Sequence, residues 1–236
     1  MALPKIETPT YLTKIPSTGD QVEFRPFLVK EEKILLLSQE SKSTIEITRA
    51  MKKIVKACLF DKVDVDKFTT FDLEYVFLQL RAKSVGETVD LKWPCSNEEC
   101  GHMNDIVVNL DDVELVYPEK EVSKTVKVNE KVGFTLKNLT LKDLENPVLS
   151  KGNETFVESL ALMIETIYDE NDVYQTKDSK PSEVVEFLES LPHASLIAIK
   201  DFANAVPKLR YTTTFKCIKC GEITTVEIEG LENFFI

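Results

Sequence analysis

Four cysteines arrive in two pairs that lie far apart in the chain. Cys95 and Cys100 stand in Trp93-Pro94-Cys95-Ser96-Asn97-Glu98-Glu99-Cys100-Gly101-His102, and Cys217 and Cys220 in Phe215-Lys216-Cys217-Ile218-Lys219-Cys220-Gly221. Each spacing lets two sulfurs approach one ion from a single turn, and the glycine after each second cysteine permits a tight bend with no Cβ in the way. Four thiolates gathered in this manner make a closed tetrahedral site. Zinc suits it best, because a d¹⁰ ion imposes no geometry of its own and soft sulfur ligands retain it. A lone Cys-x-x-Cys is shared with redox motifs, whereas two knuckles that each close on Cys-Gly point to a structural metal.

The alternatives for these sulfurs are reduced core thiols and disulfides. Ser96, Asn97, Glu98 and Glu99 surround the first pair with polar groups, which speaks against a core. The start Met1-Ala2-Leu3-Pro4 shows no apolar signal segment, and the expectation is a reducing compartment in which disulfides do not persist. The fifth cysteine, Cys58, falls on the apolar face of a predicted helix and reads as a small buried hydrophobe. His102 is expected at the surface beside the first knuckle.

The cysteines need strands to carry them. Residues 87–93 and 104–110 flank the first pair, with Val89, Leu91 and Trp93 alternating against Asp90 and Lys92, and 209–215 and 223–228 flank the second, so each pair reads as a hairpin tip. Cys100 and Cys217 lie 117 positions apart. The spacing predicts an α+β fold with split, zinc-ribbon-like hairpins and helical segments before and between them. Its organisation is an N-terminal Pro-rich arm or β-ribbon over 1–28, a helical segment over 29–86, and a ribbon-like unit over 87–236. That unit is built from 87–110 and 209–230, with 111–208 inserted.

Within the arm, 11–15 and 21–25 alternate about a Ser17-Thr18-Gly19-Asp20 turn. Ser43 and Glu46 have capping-box spacing ahead of a helix with Ile47, Ala50, Met51, Ile54, Val55, Cys58 and Leu59 on one face, and a second helix is predicted from about Thr70 to Val85. Asp61, Asp64 and Asp66 resemble a calcium loop only superficially, since Phe68 and Thr69 fill positions that need a ligand and a glycine. Short strands are expected at 113–117, 122–128 and 132–136, with Asn129-Glu130 as a tight turn. Asn153 is expected to cap a helix that turns Phe156, Val157, Leu160, Ala161, Ile164, Ile167 and Tyr168 inward. Residues 169–180 read as a polar loop, followed by helices from Pro181 to Leu191 and from His193 to Val206.

Composition narrows the function further. The chain has 236 residues, an ordinary apolar fraction of 43% and a net charge of −11. Such acidity opposes a phosphate-binding surface, which relies on clustered Lys and Arg. No apolar run approaches the length of a membrane span. Seven glycines leave little material for phosphate loops. Two histidines, no His-Glu-x-x-His run and no Gly-x-Ser-x-Gly elbow leave nothing that calls for catalysis, and a four-sulfur site offers zinc no open position for water.

Three stretches together resemble the baseplate hub proteins of T-even-type contractile-tailed bacteriophages, hub components or hub assembly factors. They are 15–19 with Phe24-Arg25-Pro26-Phe27-Leu28-Val29-Lys30-Glu31-Glu32-Lys33, then Thr70-Phe71-Asp72-Leu73-Glu74-Tyr75 through Ser84-Val85-Gly86-Glu87, and the two knuckles. The resemblance implies a non-enzymatic viral structural or assembly protein, present in the host cytoplasm during assembly and in the virion baseplate, with other tail proteins or further copies of itself as partners. Arg25, Phe27, Arg81 and Lys83 are candidate partner contacts, because Arg and aromatic residues are enriched at interface hot spots. Core packing for Phe27 and an internal ion pair for Arg81 are the competing roles. The alternative function is a zinc-ribbon nucleic-acid-binding regulator, favoured by Lys216 and Lys219 and opposed by Glu98, Glu99 and the overall charge.

Overall fold

The computed structural model describes residues 6–40, 43–119, 122–145 and 156–231. The chain is mixed α+β with small antiparallel sheets, and divides into two compact units, Met1–Val116 with Lys208–Ile236, and Tyr117–Pro207.

In the first unit, β1 (Tyr11–Lys14) and β2 (Gln21–Phe24) form a ribbon, followed by α1 (Val29–Glu40), α2 (Thr44–Cys58) and α3 (Thr70–Ser84). Ser43 caps α2 by accepting the Glu46 N–H, and Ile54, Val55, Cys58 and Leu59 on its inner face are almost wholly buried. Helix α3 is buried nearly all round: Phe71, Leu73, Val76, Phe77, Leu78 and Leu80 lose their solvent. Apolar residues on every side of a helix mark one that lies inside its domain. It packs against β1, α2, the turn at Leu110–Asp112 and β10 (Lys208–Lys216).

Two further sheets complete this unit. β3 (Thr88–Pro94) and β4 (Met103–Asn109) form a two-stranded hairpin, while β5 (Glu114–Val116), β10 and β11 (Ile223–Glu229) form a sheet in the order β11-β10-β5. Val116 pairs with Lys208. Residues 117–207 therefore leave and re-enter the first unit through adjacent, hydrogen-bonded strands.

The second unit holds a four-stranded sheet, β6 (Thr125–Lys127), β7 (Gly133–Leu136), β8 (Ile164–Tyr168) and β9 (Val173–Gln175), with α4 (Leu141–Leu144), α5 (Phe156–Ala161), α6 (Pro181–Glu189) and α7 (His193–Asn204). Its core joins Phe134, Leu136, Leu160, Ile164, Leu188, Ile199 and Phe202.

Three expectations fail in this unit. The helix predicted through Tyr168 stops at Ala161, and Ile164–Tyr168 is the inner strand β8. A run of Ile, Thr and Tyr fits a pleated surface, and here tertiary pairing overrides the helical spacing. Phe134 sits opposite Ile167, and the Thr135 and Thr166 hydroxyls meet at 2.6 Å. The stretch read as a polar loop contains β9, which is exposed along its length and therefore carries no apolar alternation. Asp169 turns the chain into it by accepting the N–H groups of Asn171 and Asp172. The turn after β6 spans 128–132 in place of a two-residue Asn129-Glu130 reversal, closed by the Asn129 side chain on the Lys131 and Val132 amides. The expected cap Asn153 lies outside the described residues.

Buried polar groups tie the first unit together. Asp72, fully buried, completes a capping box with Thr69 and accepts the Ser17 N–H at 2.8 Å, linking the start of α3 to the β1–β2 turn. Arg25 donates to Glu31 Oε1 at 2.9 Å and to the Pro26 carbonyl, and its backbone N–H donates to the Cys58 carbonyl. Glu31 also accepts the Leu28 N–H, so one carboxylate both caps α1 and anchors it to β2 and α2. Burial pushes the Glu31 carboxyl up, but the Arg25 guanidinium and the Leu28 amide outweigh it and hold the pKa below its ordinary value of 4.5.

Removing one member of such a pair leaves an uncompensated buried charge. Arg25→Met is expected to destabilise the protein by about 3 kcal/mol in chemical denaturation, and Arg25→Met with Glu31→Met to recover much of that loss. Folded Glu31 binds its proton more weakly than unfolded Glu31, so its contribution is complete above about pH 4.5 and is lost as the pH falls through the lowered folded value. The acid limb of a stability–pH curve should accordingly flatten in Glu31→Gln.

Candidate metal centre

The β3–β4 ladder ends with Pro94 opposite Met103, and the β10–β11 ladder with Lys216 opposite Ile223. One step beyond each, the first cysteine closes its hairpin: the Cys95 N–H donates to the His102 carbonyl at 2.9 Å and the Cys217 N–H to the Glu222 carbonyl at 2.8 Å. The tips then turn through glycines at positive φ, Gly101 at 52° and Gly221 at 79°. A side chain is rarely tolerated there. The Gly101 N–H donates to the Asn97 carbonyl and the Gly221 N–H to the Cys217 carbonyl.

These turns bring all four sulfurs within 4.8 Å of one another. Across the two hairpins, Cys95 Sγ lies 3.5 Å from Cys220 Sγ and Cys100 Sγ 3.9 Å from Cys217 Sγ. Cys95 and Cys217 are buried, Cys100 is half-buried and Cys220 exposed, so the cluster sits at a surface with one edge open to solvent. Four sulfurs so placed can bind one metal ion. His102 stays outside the group and contributes its carbonyl, which accepts both the Cys95 N–H and the Asn104 side-chain amide.

Two residues that the cysteine spacing does not reveal clasp the hairpins to each other. The N–H of Ile218, one residue after Cys217, donates to Asn104 Oδ1 at 3.1 Å. The N–H of Ser96, one residue after Cys95, donates to Thr224 Oγ1 at 3.0 Å. Asn104 is four residues after Cys100, and Thr224 is four residues after Cys220. The clasp is thus reciprocal, each knuckle offering a side-chain acceptor to the other despite their different loop lengths. Both side chains are 3% exposed. Their signal in the sequence is a polar residue at the first inward position of a strand whose next inward residues are apolar: Asn104, Ile106, Val108 and Thr224, Val226, Ile228.

The surroundings bias the thiols. The Cys220 N–H donates toward the Cys217 sulfur, as do the Lys219 N–H and the Asn104 amide, and together they overcome desolvation to bring Cys217 down to about 6. For Cys220 the Glu222 N–H favours the thiolate, but desolvation and hydrogen bonding among the crowded sulfurs outweigh it and push the group up to about 12. The fold thus favours the thiolate at Cys217 and disfavours it at Cys220. Cys58 lies apart, in the core, where burial pushes it up to about 11.

The four candidate contact residues lie elsewhere. Arg25 and Phe27 are buried, at 9% and 8% exposure, and pack within the first unit. Arg81 is half-buried and donates to the Gly86 carbonyl at 3.1 Å, and Lys83 pairs with Glu87 at 2.5 Å. In the second unit a cavity of about 480 Å³ opens beside α6, with the Lys137–Asp143 ion pair and the apolar side chains of Ile164 and Val184 on its wall.

Among the described residues no helix is long and apolar enough to cross a membrane. No curated protein and no solved structure matches the chain. The family described as T4 bacteriophage base plate protein matches over residues 8–236, a span that takes in both units and all four clustered cysteines. A baseplate family implies other phage tail proteins as partners, and suggests a virion component with a structural and non-enzymatic role. On that match the chain belongs to the T4 bacteriophage base plate protein family.

Proposed function

We propose that this chain is a structural or assembly protein of the baseplate hub of a contractile phage tail, acting by docking to other tail proteins, and that its cysteine cluster holds one structural zinc ion. The family match supports the baseplate part of this reading, and the resemblance of the three stretches to hub proteins supports the rest. Such a protein meets its partners in the host cytoplasm as the tail is built. Arg81 and Lys83, which keep part of their surface, are the contact candidates best placed to reach a partner.

The second part rests on the fit of the sulfurs to the ion. Zinc–sulfur bonds near 2.3 Å set tetrahedral edges of about 3.8 Å. The cross-hairpin separations of 3.5 and 3.9 Å bracket that edge. Cys95, Cys100, Cys217 and Cys220 would be the ligands, and bound zinc would supply a cross-link between strands distant in sequence and no open coordination position. Ligation requires thiolates, so binding releases protons and strengthens as the pH rises. Asn104 and Thr224 would orient the ligand loops, with the Asn104 amide donating to the Cys217 sulfur at 3.7 Å.

Elemental analysis of the purified protein should find one zinc per chain, and a strong chelator should lower the melting temperature. Cys100→Ser and Cys217→Ser should reproduce that loss without chelator. Disulfides among these sulfurs in place of a bound ion would overturn the metal reading. Asn104→Ala and Thr224→Val are expected to weaken zinc about 10- to 100-fold in competition with a chromogenic chelator, as loss of outer-shell support does elsewhere. They should also shift metal release in an acid titration toward higher pH.

The assembly role has its own test. Deleting the gene should stall tails before a complete baseplate forms, and the protein should co-purify with tail proteins. Normal tails without it would refute the role. Salt-sensitive DNA binding would favour a nucleic-acid regulator instead.

A further inference from the structure

Helix α1 leaves part of its apolar surface on the outside. Its most buried residues are Glu31 and Ser38, at 3% and 8% exposure, while Leu36 and Leu37 remain 56% and 57% exposed and Val29 81%. At 3.6 residues per turn, Val29, Lys33, Leu36, Leu37 and Glu40 fall on one outward stripe, opposite Glu31 and Ser38. Inward polarity is accounted for by the Arg25–Glu31 pair. Nothing within the described residues accounts for leucines on the outside.

The stripe is self-complementary. Lys33 and Glu40 are equidistant from the midpoint between Leu36 and Leu37, and neither makes an ion pair among the described residues. We propose that α1 pairs antiparallel with α1 of a second copy of this chain, about a two-fold axis passing between Leu36 and Leu37. In that register Leu36 of each copy meets Leu37 of the other, and Lys33 of each faces Glu40 of the other on both flanks. An isologous contact demands this reciprocity. A parallel pairing would set Lys33 against Lys33 and Glu40 against Glu40, so charge selects the antiparallel form.

Two turns of helix per copy fall short of the roughly 800 Å² per partner of a standard stable interface. The pairing is therefore weak and concentration-dependent in the isolated protein. It concerns α1 alone and stands whether or not the cysteines hold zinc.

Sedimentation velocity of the full chain from about 5 to 500 µM should show a monomer–dimer equilibrium, with a dissociation constant of micromolar order or weaker. Leu36→Glu with Leu37→Glu should abolish the dimer while the melting temperature and circular dichroism stay unchanged, since both side chains are outside the core. Lys33→Glu should weaken association about tenfold by placing carboxylates against carboxylates, and Lys33→Glu with Glu40→Lys should restore it. A monomer throughout the range would overturn the proposal. So would a dimer indifferent to the leucine substitutions, a charge swap that fails to restore association, or a different tail protein binding this stripe without self-association.

Discussion

Strands separated by about half of the chain can present their tips to one another only if they start from a common base and are held at a common angle. Helix α3 is the base. It packs against β10 and against the turn that follows β4, so both cysteine hairpins are rooted on one buried helix. The reciprocal clasp of Asn104 and Thr224 then sets the tips against each other. The sulfurs cluster as a consequence of these two constraints.

The same helix is fixed at its own ends by polar groups, which have directional requirements that apolar packing lacks. Asp72 binds the first turn of α3 to the β1–β2 turn, and Phe27 N–H donates to Ser84 Oγ in its last turn. Arg25 and Glu31 continue the network outward to α1 and α2. Buried polar networks that are fully satisfied rigidify their surroundings, and among the described residues no buried side-chain nitrogen or oxygen lacks a partner.

The pairing of β5 with β10 gives the fold its modularity. Because Val116 and Lys208 are partners on adjacent strands, residues 117–207 span a short gap and form their own core around Phe134, Ile164 and Ile199. Closely spaced entry and exit points allow a unit to be carried within another without disturbing its packing.

Residue type and spacing alone were enough to read the four clustered cysteines, the hairpins that carry them, the buried face of α2, and the α3 and α7 helices, because each depends on local periodicity or on a chemistry few residues share. The Thr69–Asp72 capping box and its tie to Ser17 emerged only in the structure. What the tertiary structure decided is everything set by partners remote in sequence. Ile164–Tyr168 became a strand because β7 and β9 lie on either side of it. Arg25 turned inward because Glu31 accepts its guanidinium there, Phe27 lies buried where its backbone N–H meets Ser84, and Leu36 and Leu37 lie outward on the face opposite that ion pair. Local sequence states which residues are apolar and how often they recur; which neighbour receives each face depends on contacts that no local pattern encodes.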